Sequence, residues 1–290
     1  MSVDSRISKA FEGALRLPLN DTSHYVLFSD CHRGTGRAND NFLKNEPLYL
    51  AALKYYYSRN YTYLELGDGD ELWENRSMES IKKNHPDTFY ILSRFYDDNR
   101  FFAIYGNHDI VKKNAKFCNE YFSSYYCDSS FCRRSLFPNI CFYSGIILED
   151  DKKKCDVYLT HGHQASTLNS TFWPVSRFLV RYVWKPLELL GIPDPTSAAK
   201  NNTLKKKSEQ YLTSWAKASG HILITGHTHR PMTGTLQTLY FNTGSCVSPG
   251  GITCIEIQNR CITLVKWSLG TRENMDFYVM REVLGDSYFM

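Results

Sequence analysis

YVLFSDCH, at residues 25–32, is the stretch that decides the fold. An apolar run ending at Ser29 is followed at once by Asp30 and His32. A short continuous apolar run of this kind predicts a buried strand. Ligands of open α/β sheets bind beyond the carboxyl ends of the strands, so Asp30 and His32 are predicted to line a binding crevice.

The same pairing of an apolar run with a polar cluster recurs four more times along the chain. Each cluster contains aspartate, asparagine or histidine next to glycine, as a tight turn or a close backbone approach requires. The clusters are Gly67-Asp68, Gly106-Asn107-His108-Asp109, His161-Gly162-His163 and Gly226-His227-Thr228-His229. Because such strand ends meet at one edge of a sheet, we expect the five clusters to converge on one site.

Between the clusters, apolar runs alternate with amphipathic segments, which is typical of an α/β protein. Helices are predicted where apolar residues recur at helical spacing, at 50–57, at 89–96 and from about 109. Strands are predicted at 25–29, 61–66, 101–105, 140–148, 157–160, 221–225, 239–242, 252–257 and 261–267.

Residues 164 to about 219 depart from this alternation. No convincing strand occurs there, and a helical pattern is interrupted by prolines. These are Pro174, Pro186, Pro193 and Pro195. We therefore predict a single domain, residues 1–290, that carries a helical insertion at about 164–219.

One helix of the insertion, at 172–190, has a distinct pattern. Its basic residues are spaced four apart and predict a stripe along one face, with the apolar residues facing elsewhere. The stripe is Arg177, Arg181 and Lys185, and the apolar residues are Phe178, Leu179, Tyr182 and Val183. Two interpretations remain open: a packed helix with a basic solvent face, or a lid that covers an apolar substrate tail or lies on a membrane. Pro174 and Pro186 are expected to confine this helix to about three turns.

Composition limits the classes of partner and compartment. The 290 residues carry a net charge of +4, from 34 basic and 30 acidic side chains, which is too weak for a dedicated nucleic-acid binder. No signal-like apolar segment or membrane-spanning run is present. Nine cysteines without a CxxC pair predict reduced thiols, with a Cys127–Cys132 disulfide left open. We therefore expect a cytoplasmic protein, with peripheral membrane attachment as an alternative.

The donor groups in the five clusters are carboxylates, imidazoles and an amide, with no thiolate. This set suits a catalytic Mn²⁺, Fe or Zn²⁺ site better than a closed structural zinc site. Each cluster alone is a common turn or helix cap. Their joint occurrence, each after an apolar run, predicts a metal centre.

The motifs DCH (30–32), GDGDE (67–71), GNHD (106–109), HGH (161–163) and GHTH (226–229) resemble those of the calcineurin-like metallophosphoesterases. The resemblance extends from about residue 24 to residue 267. It implies an α/β fold, a two-sheet β-sandwich flanked by helices, with a binuclear metal centre at one edge. It implies two divalent ions, Mn²⁺ first with Fe or Zn²⁺ as alternatives, and a bridging hydroxide that attacks the phosphoester. The implied ligands are Asp30, His32, Asp68 and His229 for one ion, and Asp68, Asn107, His161 and His227 for the other.

The resemblance also implies two catalytic roles. His108 would protonate the leaving oxygen or stabilise its developing charge, and Glu71, three positions after Asp68, would orient it. Asp70, beside Glu71, is the alternative. Three residues next to ligands are candidates for contacting the substrate. A plain surface role is the alternative for the two arginines, and for the histidine the alternatives are support of a metal ligand or a simple polar neighbour. They are Arg33, His163 and Arg230.

The place of the insertion is similar to that in the UDP-2,3-diacylglucosamine pyrophosphatases, which cover a lipid substrate with helices there. That branch carries arginine at the position of His108. The resemblance as a whole implies a phosphatase, phosphodiesterase or pyrophosphatase that acts on a phosphorylated small molecule or a lipid-linked substrate. Two alternatives remain open: a nuclease of the same superfamily, and a catalytically silent scaffold. The oligomeric state is not predicted.

Overall fold

The computed structural model describes residues 1–37, 40–127, 131–152, 155–188 and 201–290. Its helices are α1 (Val3–Lys9), α2 (Glu46–Ser58), α3 (Met78–Asn84), α4 (Pro86–Asp97), α5 (Ala115–Phe122), α6 (Thr167–Ser170), α7 (Trp173–Leu179), α8 (Lys185–Glu188) and α9 (Asn202–Ser219). Its strands are β1 (Leu15–Leu19), β2 (His24–Phe28), β3 (Thr62–Leu66), β4 (Phe101–Ile104), β5 (Ser124–Cys127), β6 (Cys132–Ser135), β7 (Phe142–Tyr143), β8 (Gly145–Asp150), β9 (Val157–Thr160), β10 (Ile222–Thr225), β11 (Tyr240–Asn242), β12 (Ile252–Gln258), β13 (Cys261–Thr271), β14 (Phe277–Val283) and β15 (Tyr288–Phe289).

The larger sheet has the strand order β14-β13-β12-β2-β3-β4-β7, and β15 also pairs with β13. Strands β2, β3, β4 and β7 run parallel, whereas β12, β13 and β14 extend the sheet in antiparallel fashion. Because β2, β3 and β4 are parallel neighbours, the loops that follow them lie side by side at one edge.

The smaller sheet has the order β1-β8-β9-β10-β11. Strands β9, β10 and β11 run parallel, and β8 is antiparallel to β9. The loops after β9 and β10 therefore also lie next to each other. These two strands carry the HGH and GHTH motifs at their carboxyl ends.

The two sheets pack face to face, and β2 shows why its sequence is continuously apolar. Leu27 faces the smaller sheet and joins a buried cluster with Leu159 and Ile224. Val26 and Phe28 point the other way, into a second cluster formed with the helices. Both faces of the strand are covered, so no polar alternation is required.

Helices cover both outer faces. Tyr49 and Tyr56 of α2 pack against the larger sheet together with Phe95 of α4. Ile7 of α1 and Trp215 of α9 pack against the smaller sheet. The result is an α/β fold with two sheets flanked by helices, which confirms the predicted fold class.

The prediction of one strand at 140–148 was wrong. Strand β7 pairs with β4 in the larger sheet, whereas β8 pairs with β1 and β9 in the smaller one. The chain passes between the sheets at Ser144, whose hydroxyl donates to the carbonyl oxygen of Ala10 at 2.7 Å. A Cβ atom on Gly145 would lie 2.8 Å from that same oxygen, so the close approach at the crossing requires glycine.

The described residues of the insertion are helical or irregular, and none of them forms a strand. The stretch 189–200, including Pro193 and Pro195, lies outside the described residues. Pro174 sits in the first turn of α7, where proline is tolerated. Pro186 does not end the helix as predicted, because α8 continues through it after a π-helical turn at Val180–Trp184. Such a widened turn relieves the clash of a proline ring with the preceding backbone.

Two further predictions concern the chain as a whole. None of the described helices combines the length and the apolarity needed to cross a bilayer. Cys127 and Cys132 pair in register across the β5–β6 hairpin, and the side chain of Cys127 lies outside the described part of the structure.

Candidate metal centre

The loops after β2 and β10 bring together the first group of potential ligands. The Nε2 atom of His229 lies 3.1 Å from Asp30 Oδ1 and 3.3 Å from His32 Nε2. His32 Nε2 lies 3.8 Å from Asp30 Oδ1. One carboxylate and two imidazoles therefore point at a common centre, and these three residues could hold a metal ion.

A second group forms beside the first. Asp68, after β3, places Oδ2 3.1 Å from Nε2 of His161, which follows β9. His227, after β10, completes a buried group whose ligand atoms all lie within 4.8 Å of one another. Asp68 Oδ2 is also 3.8 Å from His32 Nε2, so this carboxylate lies between the two groups.

Several of these residues are held through one side-chain atom, while the other atom faces the neighbouring candidate ligands. His161 Nδ1 is held 2.8 Å from the carbonyl oxygen of Leu66, which leaves Nε2 facing Asp68. Asp30 Oδ2 accepts from the backbone of His227 at 2.9 Å, whereas its Oδ1 faces His229 and His32. The side-chain oxygen of Asn107 is buried and has no hydrogen-bond partner. Buried polar atoms rarely lack partners, so this oxygen and the converging ligand atoms fit a bound cation.

The carboxylates and imidazoles of the two groups shift one another's pKa values. Burial lowers the pKa of His161, but attraction from Asp68 outweighs it and raises the pKa to about 9. Burial would raise the pKa of Asp68, but His161 and His108 hold it well below its ordinary range. Burial and repulsion from His161 lower the pKa of His227 to about 3. His227 is therefore neutral, as a metal-bound imidazole must be.

Five of the candidate ligands have a left-handed backbone, which is uncommon for residues other than glycine. These residues lie in the turns that directly follow β2, β3 and β10. Strain of this kind clusters at functional sites. The residues are Asp30 (φ 51°), His32 (φ 48°), Asp68 (φ 52°), His227 (φ 69°) and His229 (φ 55°).

Gly106 permits the close approach of two of the ligand loops. A Cβ atom at this position would lie 2.1 Å from Asp68 Oδ1. The loop after β4, which carries Asn107 and His108, could therefore not lie this close to Asp68 with any larger residue at position 106.

His108 lies at the edge of this centre and is partly exposed, with 22% of its side chain accessible, as is His229 at 21%. Its Nδ1 is 2.8 Å from a Glu71 oxygen, and its ring stacks on the indole of Trp73 at a centroid distance of 4.4 Å. Burial lowers the pKa of His108, but Glu71 and Asp68 outweigh this and raise it. Because Nδ1 faces Glu71, the Nε2 atom of this imidazole is the one available to donate a proton.

Glu71 serves both histidines. It lies 2.7 Å from His32 Nδ1 as well as 2.8 Å from His108 Nδ1. Asp70, the alternative in the sequence, points away into a buried ion network. Glu71 is therefore the acidic residue placed to orient His108.

The buried ion network lies directly beneath the ligand loops. Arg33 donates from Nε to Asp70 at 2.7 Å and from Nη1 to Glu65 at 2.9 Å. Lys112 lies 2.7 Å from Asp70 and 2.6 Å from Asp109. The prediction that Arg33 contacts substrate was wrong, because only 2% of the residue is exposed and its guanidinium is held by two carboxylates.

Asp109 belongs to one of the five predicted clusters, but the sequence did not indicate its role. It accepts hydrogen bonds from the backbone of Gly106 at 2.7 Å and of Gly69 at 3.1 Å. It thereby ties the loop that carries Asn107 to the loop that carries Asp68. The sequence feature that could have indicated this role is Lys112, three residues later. On one helical turn, this spacing places a cation beside Asp109.

The other two substrate candidates occupy different positions. His163 is buried, its Nδ1 has no hydrogen-bond partner, and burial followed by repulsion from His161 holds its pKa well below the ordinary value. Arg230 is exposed and forms an ion pair with Glu209 of α9. Arg230 therefore extends from the ligand loop toward the insertion.

Two of the three cations of the basic stripe face the protein, contrary to the solvent-facing interpretation. Arg181 donates from Nη2 to the carbonyl oxygen of Leu72 at 2.7 Å, and Lys185 donates to that of Glu74 at 3.1 Å. Both cations thus attach the helix to residues 72–75, immediately after Glu71. The carbonyl oxygens of an irregular segment need donors, and here the insertion supplies them.

The insertion also exposes apolar side chains. Phe178 is 58% exposed, and Val175 is 54% exposed. We call this surface the outer apolar face. It consists of Leu168, Phe172, Val175, Phe178 and Tyr182.

Comparison with known proteins places these features in context. No protein-family model and no curated protein matches the chain. Among solved structures, it is similar to a conserved uncharacterized protein from Streptococcus pneumoniae TIGR4, described as a predicted phosphoesterase, with 12% identity over 90% of this chain and 98% of that one and a TM-score of 0.36. It is also similar to Vps29 of Chaetomium thermophilum, with 14% identity over 93% of this chain and 98% of that one and a TM-score of 0.42. Likenesses this distant carry no argument about function.

Proposed function

We propose that this chain is a metal-dependent phosphoester hydrolase with two divalent ions, Mn²⁺ first and Fe or Zn²⁺ as alternatives. The observation that carries the proposal is the convergence of two adjacent groups of carboxylate and imidazole atoms beside the buried, unpaired side-chain oxygen of Asn107. A purely structural polar cluster would give that buried oxygen a hydrogen-bond partner.

The residues divide into two ligand sets that share Asp68. One ion would be held by Asp30, His32, Asp68 and His229, and the other by Asp68, Asn107, His161 and His227. When bound, the ions activate water at neutral pH and neutralise charge on the phosphate oxygens.

The protein's own groups complete the reaction. His108 donates a proton from Nε2 to the leaving oxygen, because its Nδ1 is occupied by Glu71. Glu71 keeps the imidazole oriented and favours its protonated form. Trp73 packs against the ring and limits its rotation.

We further propose that the substrate is a lipid-linked phosphoester or pyrophosphate and that the outer apolar face contacts lipid. Phe172 and Phe178 are more than half exposed, at 51% and 58%. Basic groups adjoin this face: Arg177 and Lys113 lie 5.1 Å and 5.4 Å from the ring centroid of Trp173. Aromatic side chains beside cations suit an anionic lipid surface.

The test is a metal titration of the purified chain after treatment with EDTA. Mn²⁺, Fe²⁺, Zn²⁺ and Mg²⁺ are added separately, metal content is measured, and turnover is followed with p-nitrophenyl phosphate and its bis-ester. We expect two ions per chain and metal-dependent hydrolysis. Tight binding of two ions without hydrolysis of either ester would favour the scaffold alternative, and preferential cleavage of DNA or RNA would favour the nuclease.

A further inference from the structure

The larger sheet ends in β14, whose outer edge pairs with no other strand in the described part of the chain. All seven residues of β14, Phe277–Val283, pair with β13 on the inner side. An edge of this kind presents a row of backbone donors and acceptors to solvent. Proteins usually protect such edges with charged side chains, proline, a bulge or a short strand. Strand β14 contains no proline and no lysine, and of its two charged residues Arg281 is paired with Glu256.

The other edges of the two large sheets are protected. Strand β7 has two residues and β11 has three. Strand β1 contains Pro18, which cannot donate a ladder hydrogen bond. Among the described strands, β14 is therefore the long edge that is open to pairing.

Exposed apolar side chains lie along this edge. Leu269 pairs with Val279, and Thr271 pairs with Phe277, so these side chains share one face of the sheet. Phe277 is 76% exposed and Leu269 is 61% exposed. A contiguous exposed apolar patch next to an open strand edge marks an interaction surface.

We propose that β14 pairs antiparallel with β14 of a second copy of this chain, around a two-fold axis at Met280. Opposite side chains must lie on the same sheet face, so the axis passes through a residue of the strand. At Met280, all seven residues of both strands find partners. The opposed pairs are Met280 with Met280, Phe277 with Val283, Tyr278 with Glu282, and Val279 with Arg281.

This register is complementary in charge as well as in length. No like charges face each other, whereas moving the axis to Arg281 would oppose two arginines. Arg281 already donates to Glu256 at 2.6 Å and 2.9 Å, so its charge is satisfied where Val279 of the second copy would pack.

The surface available is sufficient for a weak to moderate dimer. The exposed parts of Leu269, Phe277, Tyr278, Val279 and Val283, doubled by the second copy, amount to on the order of 1,000 Å², where specific interfaces begin. The inference rests on the strand edge alone and is independent of the proposed hydrolase activity.

Sedimentation velocity over a series of concentrations tests the proposal. We expect a species of twice the 33.6 kDa chain mass at high concentration. Phe277→Lys and Val279→Lys should each weaken association roughly tenfold or more, because a charge at an exposed edge opposes strand pairing. Phe131→Lys, at an 83% exposed phenylalanine beside β6, is the matched control and should not change the dissociation constant.

A cross-linking experiment fixes the register. Met280→Cys should form an intermolecular disulfide under mild oxidation well above the wild-type background, because the axis places two copies of this position opposite each other. Tyr278→Cys should not, since its neighbour across the axis is Glu282. A wild-type chain that stays monomeric at every concentration overturns the proposal. So does a dimer that neither responds to Phe277→Lys nor cross-links at position 280.

Discussion

Arg181 donates a hydrogen bond from Nε to the carbonyl oxygen of Trp73, at 2.8 Å, and thereby connects the helical insertion to the metal centre. The indole of Trp73 stacks on His108, and Glu71, two residues earlier, holds the same imidazole. The insertion therefore braces the segment that sets the orientation of the proposed proton donor. Arg181 and Lys185 of the insertion therefore donate hydrogen bonds to the protein itself rather than to solvent.

Arg181→Met should lower kcat roughly tenfold while leaving metal content unchanged, because small displacements of a catalytic group are costly. The measurement is steady-state turnover with metal analysis on the same samples. Arg177→Met is the control, since that guanidinium lies over Trp173 rather than on residues 72–75. Equal losses in the two variants would show that Arg181 has no special positioning role.

Asp68→Asn should abolish turnover and weaken both ions, because it removes the charge that lies between the two ligand groups. Asparagine tolerates the left-handed backbone at this position, so folding is retained. His32→Ala should weaken mainly one ion. Metal stoichiometry by mass spectrometry distinguishes these results, and an Asp68→Asn protein that keeps two tight ions and full activity would disprove the bridging assignment.

His108→Ala should lower kcat on the order of 10²–10⁴-fold with metal content near normal, as expected for a proton donor. Glu71→Gln should also lower kcat. Because Glu71 lies 2.7 Å from His32 Nδ1 as well, this variant should bind one ion less tightly. A large loss of metal in His108→Ala would instead identify this histidine as a ligand.

Phe178→Ser should impair hydrolysis of a lipid-linked pyrophosphate and leave that of a small water-soluble ester nearly unchanged. The side chain is 58% exposed, so its removal should cost little stability. Phe131→Ser, also at an exposed phenylalanine, is the control for loss of surface apolarity. If Phe178→Ser reduced both activities equally, the outer apolar face would have no role in substrate choice.

The free energy of unfolding should depend on pH through the protonation of His85, a buried residue that is not a candidate metal ligand. Burial lowers the pKa of His85, but hydrogen bonds to Asp40 and Glu46 outweigh it and raise the pKa to about 9. A raised folded-state pKa gives stability that is fully present below the unfolded value and is lost as pH rises through about 9. Urea unfolding between pH 6 and about 10 should show this decline. His85→Gln should be less stable at the lower pH and should show a flatter profile; an unchanged profile would rule out the charged bridge.

The grouping of the candidate ligands was predictable from the sequence, because each of them closely follows an apolar run and parallel strand ends must meet. The surroundings were less predictable. Helical spacing shows that Arg177, Arg181 and Lys185 share a stripe, but it cannot show which stripe faces inward. That orientation depends on the carbonyl oxygens of Leu72 and Trp73, which accept hydrogen bonds from Arg181 and are remote from it in sequence.

The fold shows the same division. The central strands β2, β3 and β4 were predictable because both of their faces are buried. Strand β1 was missed because Pro18 interrupts its short apolar pattern, and β14 was missed because it mixes exposed aromatic and charged residues. The chain passes between the sheets at Ser144 because β7 and β8 pair with strands of different sheets. The local sequence does not indicate those pairings.

The left-handed backbone at Asp30, His32, Asp68, His227 and His229 has a consequence for how such a chain could diverge. Glycine and asparagine are the residues that adopt this conformation most readily, whereas β-branched residues resist it. A descendant that no longer needed metal would be free to discard the carboxylates and imidazoles but not the turns. Its lost ligands would be replaced by asparagine and glycine rather than by alanine or valine. The backbone of the turns would then be kept after metal binding was lost. Asparagine or glycine at these five positions would mark a chain that had lost its metal ligands.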